Sequence, residues 1–515
     1  MTSSGVSPLS KSYGNGFGPR FHTAAVICSL TVLVVIAALW CFRSGCILYY
    51  GDAESHLNIS RAIVDSRTPG YDQLGTVWLP VLHIVCLPFV ANDWLWSTGL
   101  AGTLPVACCF VLAGTALYLC AVDAYRDLSA AAVVLACFAL NPNILYLAAI
   151  PMTEVVFMAG LFFAMFAALR FRIAQRTCWV ALGIVSSWFF SLTRYDGWFL
   201  IPFLALWFAA AAPRRKIVLF LLFGMTSALA PLYWIAHNWW ETGNALDFFN
   251  GPYSPGVIQA SQPYPGFQDW FAAAHYYFIA GELCTGVSLL FLAFIGVAFA
   301  YRQRALQPVL FLLLTPLFYI WSMHSSGGTP IYVPPLWPHS YYNGRYGIAL
   351  VPLCAFAAGA IVLALPPRWR RFAFLIPLVA VTPWLVRPSR QAWICWKESQ
   401  VNSVDRRAWT NAGAAFLQAN YLSGQGILTS TGDVTGIYRV AGVHLSETLN
   451  IGNGAMWFAA VNRPELFHPN LFAVMQTGDP LSNRLAHARS PYLPALSIST
   501  SKFSPALVIS KLNSQ

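Results

Sequence analysis

The feature that most constrains this chain is the recurrence of long apolar runs. Segments of roughly 15–26 residues, nearly free of charge, repeat from residue 22 to about residue 387 of the 515-residue sequence. A typical hydrocarbon core takes about 20 apolar residues per helix. Lipid offers no hydrogen-bond partner to an open sheet edge or an irregular backbone, so such runs must cross as helices. Only 10% of the residues are Asp, Glu, Lys or Arg, against about a quarter in a soluble domain. Disorder, a coiled coil and an ordinary soluble enzyme are excluded. The expected fold is an all-α polytopic membrane protein of eleven spans, at 22–43, 96–121, 128–149, 153–172, 178–195, 198–212, 216–236, 283–302, 308–323, 346–365 and 371–387.

Charge sidedness supports this division. With the N-terminus inside, fourteen of the twenty Lys and Arg residues up to 387 fall in cytoplasmic segments and six outside, as the positive-inside rule requires. Trp78–Val90 is apolar but only 13 residues long and contains Pro80 and Pro88. It would be about 20 Å long as a helix, and counting it as a span would invert the later basic loops. We place it at the membrane surface. The formal net charge of +11 thus reports topology and gives no reason to expect a nucleic-acid partner. The run at 22–43 exceeds the length of a cleavable signal and reads as a retained first span, leaving 1–21 as a cytoplasmic tail. Residues 22–387 form the expected transmembrane domain, with outer loops at 47–94, 238–282 and 324–345. From 388 to 515 the sequence turns mixed and polar, with an amphipathic helix near Ala408–Ala419 and strand-like stretches at Gly426–Ser430 and Ala506–Ile509. A small extracytoplasmic α/β domain is expected there. The twelve Cys lie mostly in apolar runs, and no C-x-x-C pair occurs, so zinc and redox motifs have no support.

Eleven of the thirteen acids before residue 388 lie outside the cytoplasmic loops. Asp52 and Glu54 stand just beyond the first span, at the start of a helical stretch at 55–65. A carboxylate kept ionised by a helix dipole can take a proton from an attacking hydroxyl; a plain N-cap fits the same pattern. His56, four residues after Asp52, would share its helix face. Glu154 opens the span at 153–172, where it could orient a substrate, help hold a divalent cation, or complement the helix dipole. Arg194 and Asp196 sit at a hairpin tip, where Arg194 could pair with a substrate phosphate or with a loop carboxylate, or the two could stabilise a simple turn. Arg345 and Tyr346 enter a late span from outside, and the planar guanidinium suits phosphate oxygens. A secondary transporter gathers ionisable groups near the bilayer midplane. Here the spans are almost uncharged and the candidates lie at one surface, which favours an interfacial site acting on a lipid.

The set resembles the GT-C class of integral-membrane glycosyltransferases, in the branch of protein O-mannosyltransferases, lipid A aminoarabinose transferases and their bacterial relatives. The shared features run in order over about residues 22–387: the Asp52-Ala53-Glu54 loop after the first span, a Trp-Leu-Pro-Val-Leu-His segment at 78–83, Glu154 opening a span, and Arg345-Tyr346 before a late one. The resemblance implies inverting transfer of a hexose or pentose from a polyprenyl-phosphate donor to an acceptor hydroxyl on a lipid, protein or polysaccharide, at the extracytoplasmic face of a bacterial inner membrane. It implies Asp52 as the base and Arg345 as the cation for the leaving phosphate, with Glu54, His56, Glu154, Arg194 and Tyr346 around the substrate. Relatives differ in metal use, so a divalent cation stays open. A transporter or flippase of a lipid-linked saccharide is the alternative.

Overall fold

The computed structural model describes residues 19–259, 263–463, 470–487, 492–500 and 505–513. The chain divides into two compact units, one of residues 1–40, 106–149 and 153–398, the other of 41–105, 150–152 and 399–515. The first outer loop and the polar C-terminal segment, read separately from sequence, belong to one unit.

The first unit is helical. Among the described residues of the whole chain, seven helices are long and apolar enough to cross a membrane: Phe21–Arg43, Leu100–Tyr125, Thr153–Ala174, Lys216–Thr242, Leu306–Ser325, Gly344–Ala364 and Pro367–Val386. Two bent pairs bring the number to nine. One breaks between Ala139 and Pro142, where Asn141 caps the second helix by accepting from the amides of Asn143 and Ile144. The other, Trp270–Thr285 with Val287–Arg302, turns by 105° at Gly286, whose φ of +78° favours glycine. Residues 270–282, expected within an outer loop, are therefore helical. Thr177–Ser191 and Asp196–Ala211 are apolar helices of 15 and 16 residues. They correspond to expected spans and are shorter than the about 20 residues of a typical core.

Thr153–Ala174 is the most enclosed helix, with 89% of its apolar window buried, whereas Lys216–Thr242 and Pro367–Val386 are 22% and 17% buried. Those two present exposed Ile217, Leu221, Met225, Leu229, Leu378 and Leu385, a surface suited to lipid and costly in water. At one end of the enclosed helix Arg170 pairs with Asp123 at 2.7 Å; Asp127, nearby in sequence, pairs with Arg370. Glu154 lies sixteen residues earlier on the helix, about 24 Å away.

The second unit joins the helices Gly51–Ala62 and Val81–Val90 to an α/β layer. Val81–Val90 has 10 residues, too few to span. Arg61 ties these helices together: it donates to Val90 O at 2.6 Å and pairs with Asp65 and Asp93 at 2.8 and 2.7 Å. The layer is a five-stranded sheet of β1 (Ile427–Thr429), β2 (Thr448–Leu449), β3 (Phe472–Gln476), β4 (Tyr492–Ile498) and β5 (Leu507–Leu512), in the order β2-β1-β3-β5-β4. β1 is parallel to β2 and β3, and β5 is antiparallel to β3 and β4. Leu428, Leu449, Trp457, Ala473, Met475 and Leu481 fill its core. The helix Val404–Asn420 contains the amphipathic stretch read from sequence.

Candidate active site

In the helical unit, the expected residues Glu154, Arg194, Arg345 and Tyr346 converge, although Glu154 and Arg345 lie 191 positions apart. Glu154 stands in the first turn of Thr153–Ala174, where the helix dipole favours negative charge. Its Oε1 accepts from Arg194 Nη1 at 3.3 Å and from Arg345 Nε at 3.1 Å. Arg194 also donates from Nε to Asp196 Oδ1 at 3.2 Å, from Nη1 to Thr153 Oγ1 at 2.7 Å and from Nη2 to the Tyr319 hydroxyl at 2.8 Å. Arg345 reaches Glu398 Oε1 at 3.4 Å, and the other oxygen of Glu398 accepts from the Gly344 amide at 2.6 Å. The Tyr346 ring lies 5.3 Å from the Arg194 guanidinium and 5.2 Å from that of Arg345, and stacks on Tyr319 at 4.8 Å. Glycine permits this arrangement: a Cβ on Gly347 would stand 2.3 Å from the Ala280 carbonyl group, so residues 344–349 can lie against the helix Trp270–Thr285.

This geometry changes the reading of Arg345. The cluster sets three carboxylates, Glu154, Asp196 and Glu398, against two guanidiniums. Arg345 is paired with two of those acids, Glu154 and Glu398. Glu398 lies in the segment assigned from sequence to the outer domain, which is why it was missed; its signal was only a lone acid in polar sequence. Of the cluster, Glu154, Arg194 and Asp196 line a narrow pocket with Phe157, Leu312, Thr315, Tyr319 and Pro352. Two buried oxygens on its lining, Glu154 Oε2 and Thr315 Oγ1, have no hydrogen-bond partner among the described residues. Buried polar atoms are nearly always satisfied, so this pocket is suited to a hydrogen-bonding guest.

In the second unit Asp52 is half-buried in the first turn of Gly51–Ala62. Tyr50 holds the N-cap position, so Asp52 is not the cap. Glu54 is gripped by Arg439, Nε to Oε1 at 2.8 Å and Nη2 to Oε2 at 2.9 Å, and accepts from Asn58 at 3.0 Å. Burial pushes its carboxyl pKa up, but the charge and hydrogen bonds of Arg439, with the charge of Arg406, outweigh that and hold it below the usual range. Arg439 thus engages both oxygens of Glu54 in a bidentate clamp. His56 is likewise engaged, with Nδ1 2.9 Å from His83 Nε2 and its ring 4.7 Å from Trp78. Burial, and then the charge of His56, push the pKa of His83 well below the ordinary range.

Two arginines not singled out from the sequence flank the segment before Asp52. Arg406 donates to the carbonyls of Leu48, at 3.2 Å, and Tyr49, with Nε 3.7 Å from Asp433. Arg407 lies 4.5 Å over the Tyr49 ring and donates to Ser403 Oγ at 3.1 Å and Gln400 O at 3.4 Å. On the sequence both precede the amphipathic stretch expected at Ala408–Ala419, and nothing there distinguishes them from solvated charges.

Among the described residues no three His, Cys, Asp or Glu side chains gather into a group that could hold a metal ion. Glu154, the acid considered for a divalent cation, carries two guanidiniums on Oε1, whose charge opposes a dication there.

The helical bundle and the small sheet have the GT-C fold. The likeness is to ArnT from Cupriavidus metallidurans bound to undecaprenyl phosphate, with a TM-score of 0.55 and 14% identity over 93% of this chain and 97% of that one. The oligosaccharyltransferase of Archaeoglobus fulgidus in the apo form matches with a TM-score of 0.51 and 13% identity over 89% of this chain and 70% of that one. Neither a family model nor a curated protein matches the sequence. The fold and the apolar helices make the chain an integral membrane protein, as its composition requires.

Proposed function

We propose that the chain is an inverting glycosyltransferase that moves a hexose or pentose from a polyprenyl-phosphate donor to an acceptor hydroxyl, at the extracytoplasmic face of a bacterial inner membrane. The observation that carries this reading is the structural likeness, over nearly the whole chain, to a protein solved with undecaprenyl phosphate. The chemistry of the residues supports it. Asp52 takes the proton from the acceptor hydroxyl as its oxygen bonds to the sugar carbon, and the old carbon–oxygen bond breaks with its electron pair leaving on the phosphate. A phosphate departs as a stable anion, so the donor side needs a cation more than an acid. Glu154 Oε2 accepts a substrate hydroxyl. Arg194, Arg345 and Tyr346 hold Glu154 in place.

The test uses full-length protein in detergent with polyprenyl-phosphate sugar and candidate lipid, peptide or polysaccharide acceptors. Acceptor-dependent release of free polyprenyl phosphate is expected, and Asp52→Asn should abolish it. Passage of lipid-linked saccharide across a vesicle membrane with no release of lipid phosphate would replace this reading with that of a flippase.

A further inference from the structure

We propose that Arg407 is the residue that receives the phosphate of the lipid donor, with Arg406 as its positioning neighbour. The proposal deepens the reading above and rests on it.

A departing phosphate needs a cation whose charge is not already cancelled. The buried arginines of the described structure mostly fail this condition. Arg194 and Arg345 share three acids, Arg61 pairs with Asp65 and Asp93, and Arg439 is clamped to Glu54. Arg407 differs. Its partners are Ser403 Oγ, the Gln400 carbonyl, and the ring and hydroxyl of Tyr49, the hydroxyl 3.5 Å from Nη1. All are neutral, so its full charge remains for a ligand.

The side chain is also presented correctly. It is half-buried, which strengthens its field relative to a solvated arginine. Of its five N–H groups, the three contacts engage Nε and one hydrogen on each Nη. One N–H on each Nη is left to donate to phosphate oxygens. Tyr49 fixes the plane of the guanidinium by lying under it. Arg406 holds the Leu48 and Tyr49 carbonyls, so the platform under Arg407 and the backbone leading to Asp52, three residues on, are fixed by one helix, Val404–Asn420. The proposed cation and the proposed base thus belong to one unit of the structure.

The experiment measures binding of undecaprenyl phosphate and of undecaprenol to full-length protein in detergent, for the parent, Arg407→Gln and Arg407→Lys, with thermal unfolding recorded for each. The parent should prefer the phosphate over the alcohol. Arg407→Gln should weaken phosphate binding about tenfold and leave undecaprenol binding unchanged. Arg407→Lys, which keeps the charge but loses the planar guanidinium stacked on Tyr49, should bind between the parent and Arg407→Gln, and the gap between parent and Arg407→Gln should narrow as salt rises. Parental phosphate affinity in Arg407→Gln overturns the assignment and leaves the donor reading standing. So does an Arg407→Lys protein that melts like the parent but binds as weakly as Arg407→Gln. A parent with no preference for the phosphate overturns the donor reading and this assignment together.

Discussion

The arginines around Glu154 and those before Asp52 make opposite use of the same side chain. In the helical unit Arg194 and Arg345 are held by Glu154, Asp196 and Glu398, and their charge is consumed in keeping helices in register. In the second unit Arg407 rests on an aromatic ring and neutral oxygens, with its charge in hand. A buried arginine is therefore not a phosphate site by default; what decides is the number of carboxylates within reach.

The largest effect should come from Asp52→Asn, which we expect to lower turnover by about 10²–10⁴-fold, the range for loss of a general base, without lowering the melting temperature. A large loss of stability in that variant would mean that the Asp52 segment is as structural as the Glu154 cluster, and the contrast would fail. Next comes Arg345→Ala. It leaves the Glu154 and Glu398 carboxylates buried beside a single remaining arginine, and we expect it to cost about 3–5 kcal/mol of stability, measured by thermal or denaturant unfolding. A variant with parental stability but weakened donor binding would restore the phosphate role to Arg345. Glu154→Gln keeps the shape of the side chain but removes its charge, and should lower turnover by about tenfold or more through misplaced substrate; unchanged turnover would remove the pocket from the reaction.

The same layout was only partly legible beforehand. Apolar length and charge sidedness yield the helices, because each span must satisfy its own backbone in lipid. The meeting of Glu154, Arg194 and Arg345 was not legible, since no spacing rule links residues brought together by packing of separate helices. Glu54 and His56 looked available because sequence neighbours reveal nothing of Arg439 or His83, which occupy them. Arg407 was hidden for the reverse reason: an arginine in mixed polar sequence is normally solvated.

Smaller effects should appear with pH, both in the second unit. The folded-state pKa of His83 lies below its ordinary value of 6.5, so the folded state resists a proton that the unfolded chain accepts. Its contribution to stability is present above pH 6.5 and is lost as pH falls below it. Glu54 is the acid counterpart: with a folded pKa below 4.5, it contributes fully above pH 4.5 and loses that contribution as pH falls through the lower folded value. Melting temperature against pH should thus decline in two stages. His83→Leu should remove the upper stage and Glu54→Gln the lower. A single stage unaffected by either variant would show that neither group is linked to unfolding.

The carboxylate of Glu398 holds both the Arg345 guanidinium and the Gly344 amide, yet it follows the last apolar helix, Pro367–Val386, by twelve residues. A fragment trimmed at that helix, the natural choice for isolating the bundle, would discard the anion that neutralises its own arginine. Of two fragments, one cut just before Glu398 and one just after it, the longer should melt at the higher temperature in detergent.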